Sequence, residues 1–248
     1  IYNLYAGRTI PAFAYREMCN YYLNYDFSIV LTLLLCLYGI IGTFVSERET
    51  QMDMLLLVSP NGGRKTALAK ILAATLFLLL TSLWFSLLDL IGFAASFQTF
   101  EGLTLPVFAI PNFAESSVNL SIFQYVLLSA ALRCTGIWVI GMLWLLLSMF
   151  WKNALLPFVM GLSLCMALIV SGAACAYSHF VWTKVLNPYS LLTNRVLLGK
   201  TEFVNLGGFP VLTWQAAIWF ALIAGLVLVA AIYFLSAENC HRCVRRAK

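Results

Sequence analysis

Five long apolar runs dominate the chain. Residues 27–45, 66–95, 122–150, 154–177 and 213–235 are almost uninterrupted apolar sequence. Each is long enough to cross the hydrocarbon core as a helix, which takes about 20 residues. The runs do not alternate in polarity as barrel strands would, and a helix is the other element that satisfies its own backbone polar groups in lipid. Polar punctuation separates them. Residues 96–121 carry Pro106, Pro111, Asn112 and Asn119 and read as a loop. Trp151-Lys152-Asn153 reads as a tight turn, and 178–212 is a longer polar-aromatic connection with Asn187-Pro188, Gly199, Gly207-Gly208 and Pro210. Residues 1–26 mix Tyr2, Tyr5, Phe13, Tyr15, Tyr21, Tyr22 and Tyr25 with Arg8, Arg16, Glu17 and Asp26, a blend that suits the headgroup layer. The pattern predicts an all-α integral membrane domain of about five transmembrane helices over residues 1–248. The run at 66–95 is longer than a span needs and implies tilt or an extension beyond the lipid.

Composition agrees with this reading. Hydrophobic residues make up 62% of the 248, charged residues 10%, and mean hydropathy is +0.90, whereas soluble chains are nearer half apolar and a quarter charged. The formal net charge of +5 is dispersed, so a nucleic-acid partner is not expected. Of the seven cysteines, Cys36, Cys134, Cys165 and Cys175 lie in apolar runs and read as packing residues.

The distribution of Lys and Arg supplies an orientation. Nine cations flank one side: Arg48, Arg64, Lys65, Lys70, Lys152, Arg242, Arg245, Arg246 and Lys248. Five flank the other: Arg8, Arg16, Lys184, Arg195 and Lys200. The richer side is expected in the cytoplasm of a plasma (inner) membrane, together with the C-terminus, which leaves 1–26, 96–121 and 178–212 outside. Five spans, an external N-terminus and no signal-peptide pattern lead to the expectation of one more helix upstream of Ile1.

The cytoplasmic stretch 46–70 has its own pattern. Ser46 with Glu49 matches a capping box, acidic residues occupy the turn that follows, and Met52, Leu55, Leu56 and Val58 give a short helix an apolar face. Ser59-Pro60-Asn61-Gly62-Gly63 stops it, and Arg64, Lys65 and Lys70 open the next span. A plain solvated linker needs no capped amphipathic helix; a helix of this kind docks in a groove or lies on an interface.

Phe44, Glu47-Arg48-Glu49, Met54-Leu55-Leu56, Ser59-Pro60, Arg64-Lys65 and Lys70, in that order, resemble the cytoplasmic loop of type-2 ABC exporter permeases. The likeness covers about 25 residues and extends weakly to the span order and to Asn187-Pro188-Tyr189-Ser190-Leu191-Leu192. Gln51-Met52-Asp53 departs from the Gly-Thr-Leu-Glu that members often carry. The resemblance implies a six-helix permease with its first helix missing here. It also implies a coupling helix seated on a cytoplasmic ABC ATPase subunit through Glu47, Arg48, Glu49, Met54, Leu55, Leu56, Ser59 and Pro60. A second permease copy or homologue would complete a dimer, surrounded by membrane lipid. The bound cofactors, ATP and Mg²⁺, would belong to the ATPase, and this chain would be no enzyme. Asn61-Gly62-Gly63-Arg64-Lys65-Thr66 is not a phosphate-binding loop: the first Gly is missing at the required spacing, Arg stands where a Gly precedes the Lys, and it follows a helix.

Two ionisable residues lie inside spans. Asp89 is near the outer end of the second, and Arg133 is roughly 16 Å into the third at 1.5 Å per residue. Either would be costly facing lipid, and the two consecutive antiparallel spans can bring them together, as a gating element or as a structural ion pair. Gly136, Gly141, Gly161 and Gly172 are sites for close helix contact, and Pro157 is a candidate kink. Cys240 and Cys243 have too few companions for a zinc site; His179 has no partner in sequence. The expected function is coupling of a partner ATPase to export of an amphiphilic or peptide-like substrate by alternating access. A secondary transporter or channel is the alternative, for which midplane carboxylates are lacking apart from the peripheral Asp89.

Overall fold

The structure is a computed structural model. It describes residues 17–52, 64–97, 103–110, 113–116, 118–151, 153–178 and 180–246, with the side chains of 17, 176, 177 and 237–246 excepted. In chain order these form α1 (Glu17–Leu23), α2 (Phe27–Glu49), α3 (Arg64–Phe97), a 3₁₀ turn (Val107–Ala109), α4 (Ile122–Ser148), α5 (Leu155–Tyr177), three short helices α6 (Val181–Leu186), α7 (Pro188–Thr193) and α8 (Arg195–Leu198), a hairpin of β1 (Phe203–Leu206) and β2 (Phe209–Leu212), and α9 (Thr213–Arg246). Five helices, α2, α3, α4, α5 and α9, are long and apolar enough to cross a membrane. At 34 residues each, α3 and α9 run about 51 Å at 1.5 Å per residue, well beyond a hydrocarbon core of about 30 Å.

α4 is the axle of the bundle. It packs against α2, α3, α7 and α9, and 56% of its most apolar window is buried, against 17% for α5 and for α9. A helix apolar on all sides belongs in the centre, and α4 carries Trp144, Leu145 and Met142 with no exposure at all. Close approach is bought with glycine. A Cβ on Gly141 would lie 2.4 Å from Leu78 of α3, and one on Gly136 would lie 3.1 Å from the Pro188 carbonyl oxygen of α7.

Apolar packing falls into two clusters. One joins Leu33, Leu37, Ile40, Leu78, Trp144 and Leu145 of α2, α3 and α4. The other lies at the end of the bundle that carries the short helices and joins Met18, Tyr22, Phe113, Tyr125, Leu197 and Ala217. Met18 and Tyr22 of α1 are therefore core residues, while Tyr21 alone of the described pair Tyr21 and Tyr22 stays exposed.

Local chemistry fixes the connections. Ser121 and Gln124 form a reciprocal capping box at the start of α4, satisfying two N–H groups that the first turn leaves unpaired. Asn187 accepts from the Tyr189 N–H at 3.0 Å with Pro188 in the first turn of α7, the positions where an Asn cap and a Pro are each favoured. Asn194 sits at φ +56° between α7 and α8, a conformation Asn tolerates better than most residues. Gly207 and Gly208, at φ +60° and +100°, make the two-residue turn that joins β1 to β2 in the register Phe203↔Leu212.

Two expectations change. α2 continues without interruption through Ser46 to Glu49, so Ser46 is no N-cap: its carbonyl accepts from the Thr50 N–H and hydroxyl. The break comes at Thr50–Gln51, where Gln51 takes φ +57°. Pro157 lies in the first turn of α5, where its missing N–H costs nothing, so no kink is required. The connection 178–212 is built largely of α6, α7, α8 and the hairpin.

Candidate functional site

The end of α2 directs three consecutive side chains to three places. Successive helical residues point about 100° apart, so a run of charges there cannot serve one partner. Glu47 pairs with Lys70 on α3, and the Lys70 ammonium lies 4.0 Å from the centroid of the Phe44 ring. Arg48 donates from Nη1 to the Trp151 carbonyl at 3.2 Å, in the turn after α4. Glu49 Oε1 accepts from the Ala154 N–H at 2.8 Å, placing a carboxylate at the positive N-terminal end of α5. Phe44 and Lys70 thus belong with the Glu-Arg-Glu run. The remaining members of the expected coupling set, Met54, Leu55, Leu56, Ser59 and Pro60, lie outside the described residues.

At the other end, the structure brings Asp89 and Arg133 together. Arg133 Nη1 is 3.4 Å from Asp89 Oδ2, and both side chains are mostly buried. Asp89 also accepts from the Ser28 hydroxyl of α2, and Arg133 Nε donates to the Leu192 carbonyl of α7 at 3.3 Å. Four helices, α2, α3, α4 and α7, therefore meet at one ion pair. Tyr22 of α1 stands beside it; burial raises its phenol above the ordinary value, against the pull of Arg133, so the ring stays neutral.

Two further ion pairs have no precedent in the sequence reading. Arg195 pairs with Asp26 and donates to Asn24 Oδ1 at 3.4 Å, tying α8 to the start of α2. Lys184 of α6 holds Glu202 through both oxygens, at 2.6 and 2.8 Å. Neither has a periodic signature: the partners are distant in sequence or lie in a segment without apolar spacing.

No family model, curated protein or solved structure matches the chain.

Two cavities open among these elements. A mixed one of about 520 Å³ lies between α5 and the short helices, with Gly172, Ala173, Tyr189, Lys184, Arg195 and Lys200 in its wall. A smaller one of about 260 Å³ is lined by apolar residues of α4, α6, α7 and α9, among them Val139, Leu191 and Phe220. Among the described residues no group of three His, Cys, Asp or Glu side chains is placed to hold a metal; the side chains of His179, Cys240, His241 and Cys243 are outside that set. The ion pairs Glu47–Lys70, Asp89–Arg133, Asp26–Arg195 and Lys184–Glu202 each join separate segments of the bundle.

Proposed function

We propose that the chain is the membrane-spanning permease subunit of an ATP-driven exporter of the type-2 ABC class. The observation that carries this reading is the end of α2, where Glu47, Arg48 and Glu49 connect to α3, to the turn after α4 and to the start of α5. A segment that leaves the membrane at such a junction is placed to pass a push to three spans at once. With the Lys- and Arg-rich end facing the cytoplasm, an ABC ATPase carrying ATP and Mg²⁺ seats on residues 50–60, beyond the Glu-Arg-Glu run. Met54, Leu55 and Leu56 fill its groove. The Glu-Arg-Glu run does not reach the ATPase; it relays the movement inward. ATP-driven closure tilts α2 and α3 against the rest and alternates access to a path shared with a second permease copy or homologue. The faces of α5 and α9, mostly unburied within the chain, are available to lipid and to that second subunit. The short helices and the hairpin cap the external end.

The chain supplies no phosphate-binding loop of its own, which is why a partner is required. The test is purification of the full chain from host membranes with identification of co-purifying ATP-binding subunits. Leu55→Asp is expected to lose that subunit, because a buried carboxylate would enter an apolar groove. Glu47→Gln is expected to keep it and to lower ATP-coupled export about tenfold, since the relay to Lys70 is cut. Transport that runs on an ion gradient with no ATPase present would replace this reading with a secondary transporter, whose one supporting feature is the buried Asp89–Arg133 pair.

A further inference from the structure

The mixed cavity beside α5 has an apolar wall on one element and cations on others. Its wall on α5 is apolar, from Ile169, Gly172 and Ala173. These residues lie four to eight positions before Tyr177, where α5 ends, hence about 6 to 12 Å inside that end at 1.5 Å per residue. The opposite wall is cationic, from Lys184, Arg195 and Lys200 on and after the short helices. Two of the three cations are answered: Lys184 by Glu202 and Arg195 by Asp26, which also lines the cavity. Lys200 is exposed and has no ion pair among the described residues, so the cavity carries one surplus positive charge. An unanswered cation above an apolar wall at acyl-chain depth matches one kind of ligand.

We infer that this cavity holds the phosphodiester head of a monoanionic lipid from the leaflet at the short-helix end, with an acyl chain lying along Ile169–Ala173 of α5. Lys200 supplies the charge that selects an anionic over a zwitterionic head, and the bulk of the chain displaces water from the Gly172–Tyr189 contact region. The site belongs to this chain alone. It needs neither ATP nor a partner subunit, so it stands or falls separately from the exporter reading.

The test uses the purified full chain in phosphatidylcholine nanodiscs containing a minor fraction of diazirine-acyl phosphatidylglycerol. A parallel sample carries the same diazirine on phosphatidylcholine. Label from phosphatidylglycerol is expected on peptides covering 169–173 and 188–200, exceeding the phosphatidylcholine label about tenfold, the worth of one charge-assisted contact. Lys200→Glu and Ala173→Trp are each expected to bring it down to the phosphatidylcholine level with thermal unfolding unchanged, since both positions are exposed and the second blocks the cavity without touching its charge. Equal labelling by the two lipids overturns the inference, as does labelling that persists in both variants. Displacement by inorganic phosphate also overturns it, by showing a site for the free ion rather than for lipid.

Discussion

Removing either member of the Asp89–Arg133 pair leaves a charge stranded among four helices. At 3.4 Å and an effective dielectric constant of about 20, the direct attraction is about 5 kcal/mol. Not all of this appears as stability, because the pair was desolvated to form, and each partner retains a second contact. Asp89→Asn keeps an acceptor for the Ser28 hydroxyl and leaves Arg133 with the Leu192 carbonyl only; the expected cost is about 3 kcal/mol. Arg133→Gln removes that carbonyl's donor as well and strands a carboxylate, for about 4 kcal/mol. In the double variant no charge is stranded, so its cost should be about 4 to 5 kcal/mol rather than the sum. The coupling energy is then about 2 to 3 kcal/mol. Reversible unfolding of the full chain in mixed micelles, followed by the fluorescence of its tryptophans, gives all four corners of the cycle. Costs that add to within about 0.5 kcal/mol would show that the two charges are each solvated separately and that the ion pair does not hold the four helices.

Two other changes follow from the packing. Gly141→Ala should destabilise the bundle by about 1 to 3 kcal/mol, because its methyl would stand 2.4 Å from a Leu78 methyl; combining it with Leu78→Ala should recover part of the loss in the same unfolding assay, and no recovery would place the strain elsewhere. Lys184→Met should cost about 2 to 3 kcal/mol by leaving Glu202 partly buried and unpaired, with Glu202→Gln in the Lys184→Met background restoring most of it; a Lys184→Met protein that melts with the wild type would refute the pairing.

The span count was legible because lipid imposes a single strong rule. A run that must satisfy its own backbone in hydrocarbon is long, helical and apolar, and Phe27–Glu49, Arg64–Phe97, Ile122–Ser148, Leu155–Tyr177 and Thr213–Arg246 all show it within a few residues except at their polar ends. Those ends were misplaced for a physical reason. Ser46 and Glu49 look like a cap in sequence, but a cap signal is local and weak, about 1 kcal/mol. Tertiary contacts of Phe44, Glu47 and Arg48 with α3 and with the turn after α4 outweigh it and carry the helix past. Asp89 and Arg133 could be paired from sequence because charge in an apolar run is rare and the spans are consecutive. Asp26 with Arg195 and Lys184 with Glu202 could not, since polar segments hold many charges and nothing in their spacing selects one partner. Gly225 was missed likewise: a glycine in an apolar run is unremarkable until Trp138 is seen to stand 2.1 Å from where its Cβ would be.

The polar contacts between α2 and α3 have a regularity that bears on how the bundle moves. Ser28 meets Asp89 at one end and Glu47 meets Lys70 at the other. The two contacts are 19 residues apart on each helix, about 28 Å at 1.5 Å per residue. Equal spacing on two antiparallel helices means that both contacts are made with no slack in either. Sliding α2 along α3 would break both together, whereas tilting the pair as one body breaks neither. The polar links from this pair to the rest include Arg48 to a backbone carbonyl beyond α4, Glu49 to a backbone N–H before α5, the Asp89–Arg133 ion pair, and two neutral contacts with α4, Trp138 Nε1 donating to the Thr75 hydroxyl at 3.4 Å and Cys134 Sγ to the Ser82 hydroxyl at 3.6 Å. The middle of the α3–α4 contact packs Leu78 against Gly141, with the Thr75–Trp138 and Ser82–Cys134 contacts on either side of it. The seam between the α2–α3 pair and α4 is thus tied by the Asp89–Arg133 ion pair at the short-helix end and by apolar packing and neutral hydrogen bonds further along. The α2–α3 seam is fastened at both ends, by the Glu47–Lys70 ion pair at one and by the Ser28–Asp89 hydrogen bond at the other, so sliding along it costs both contacts together.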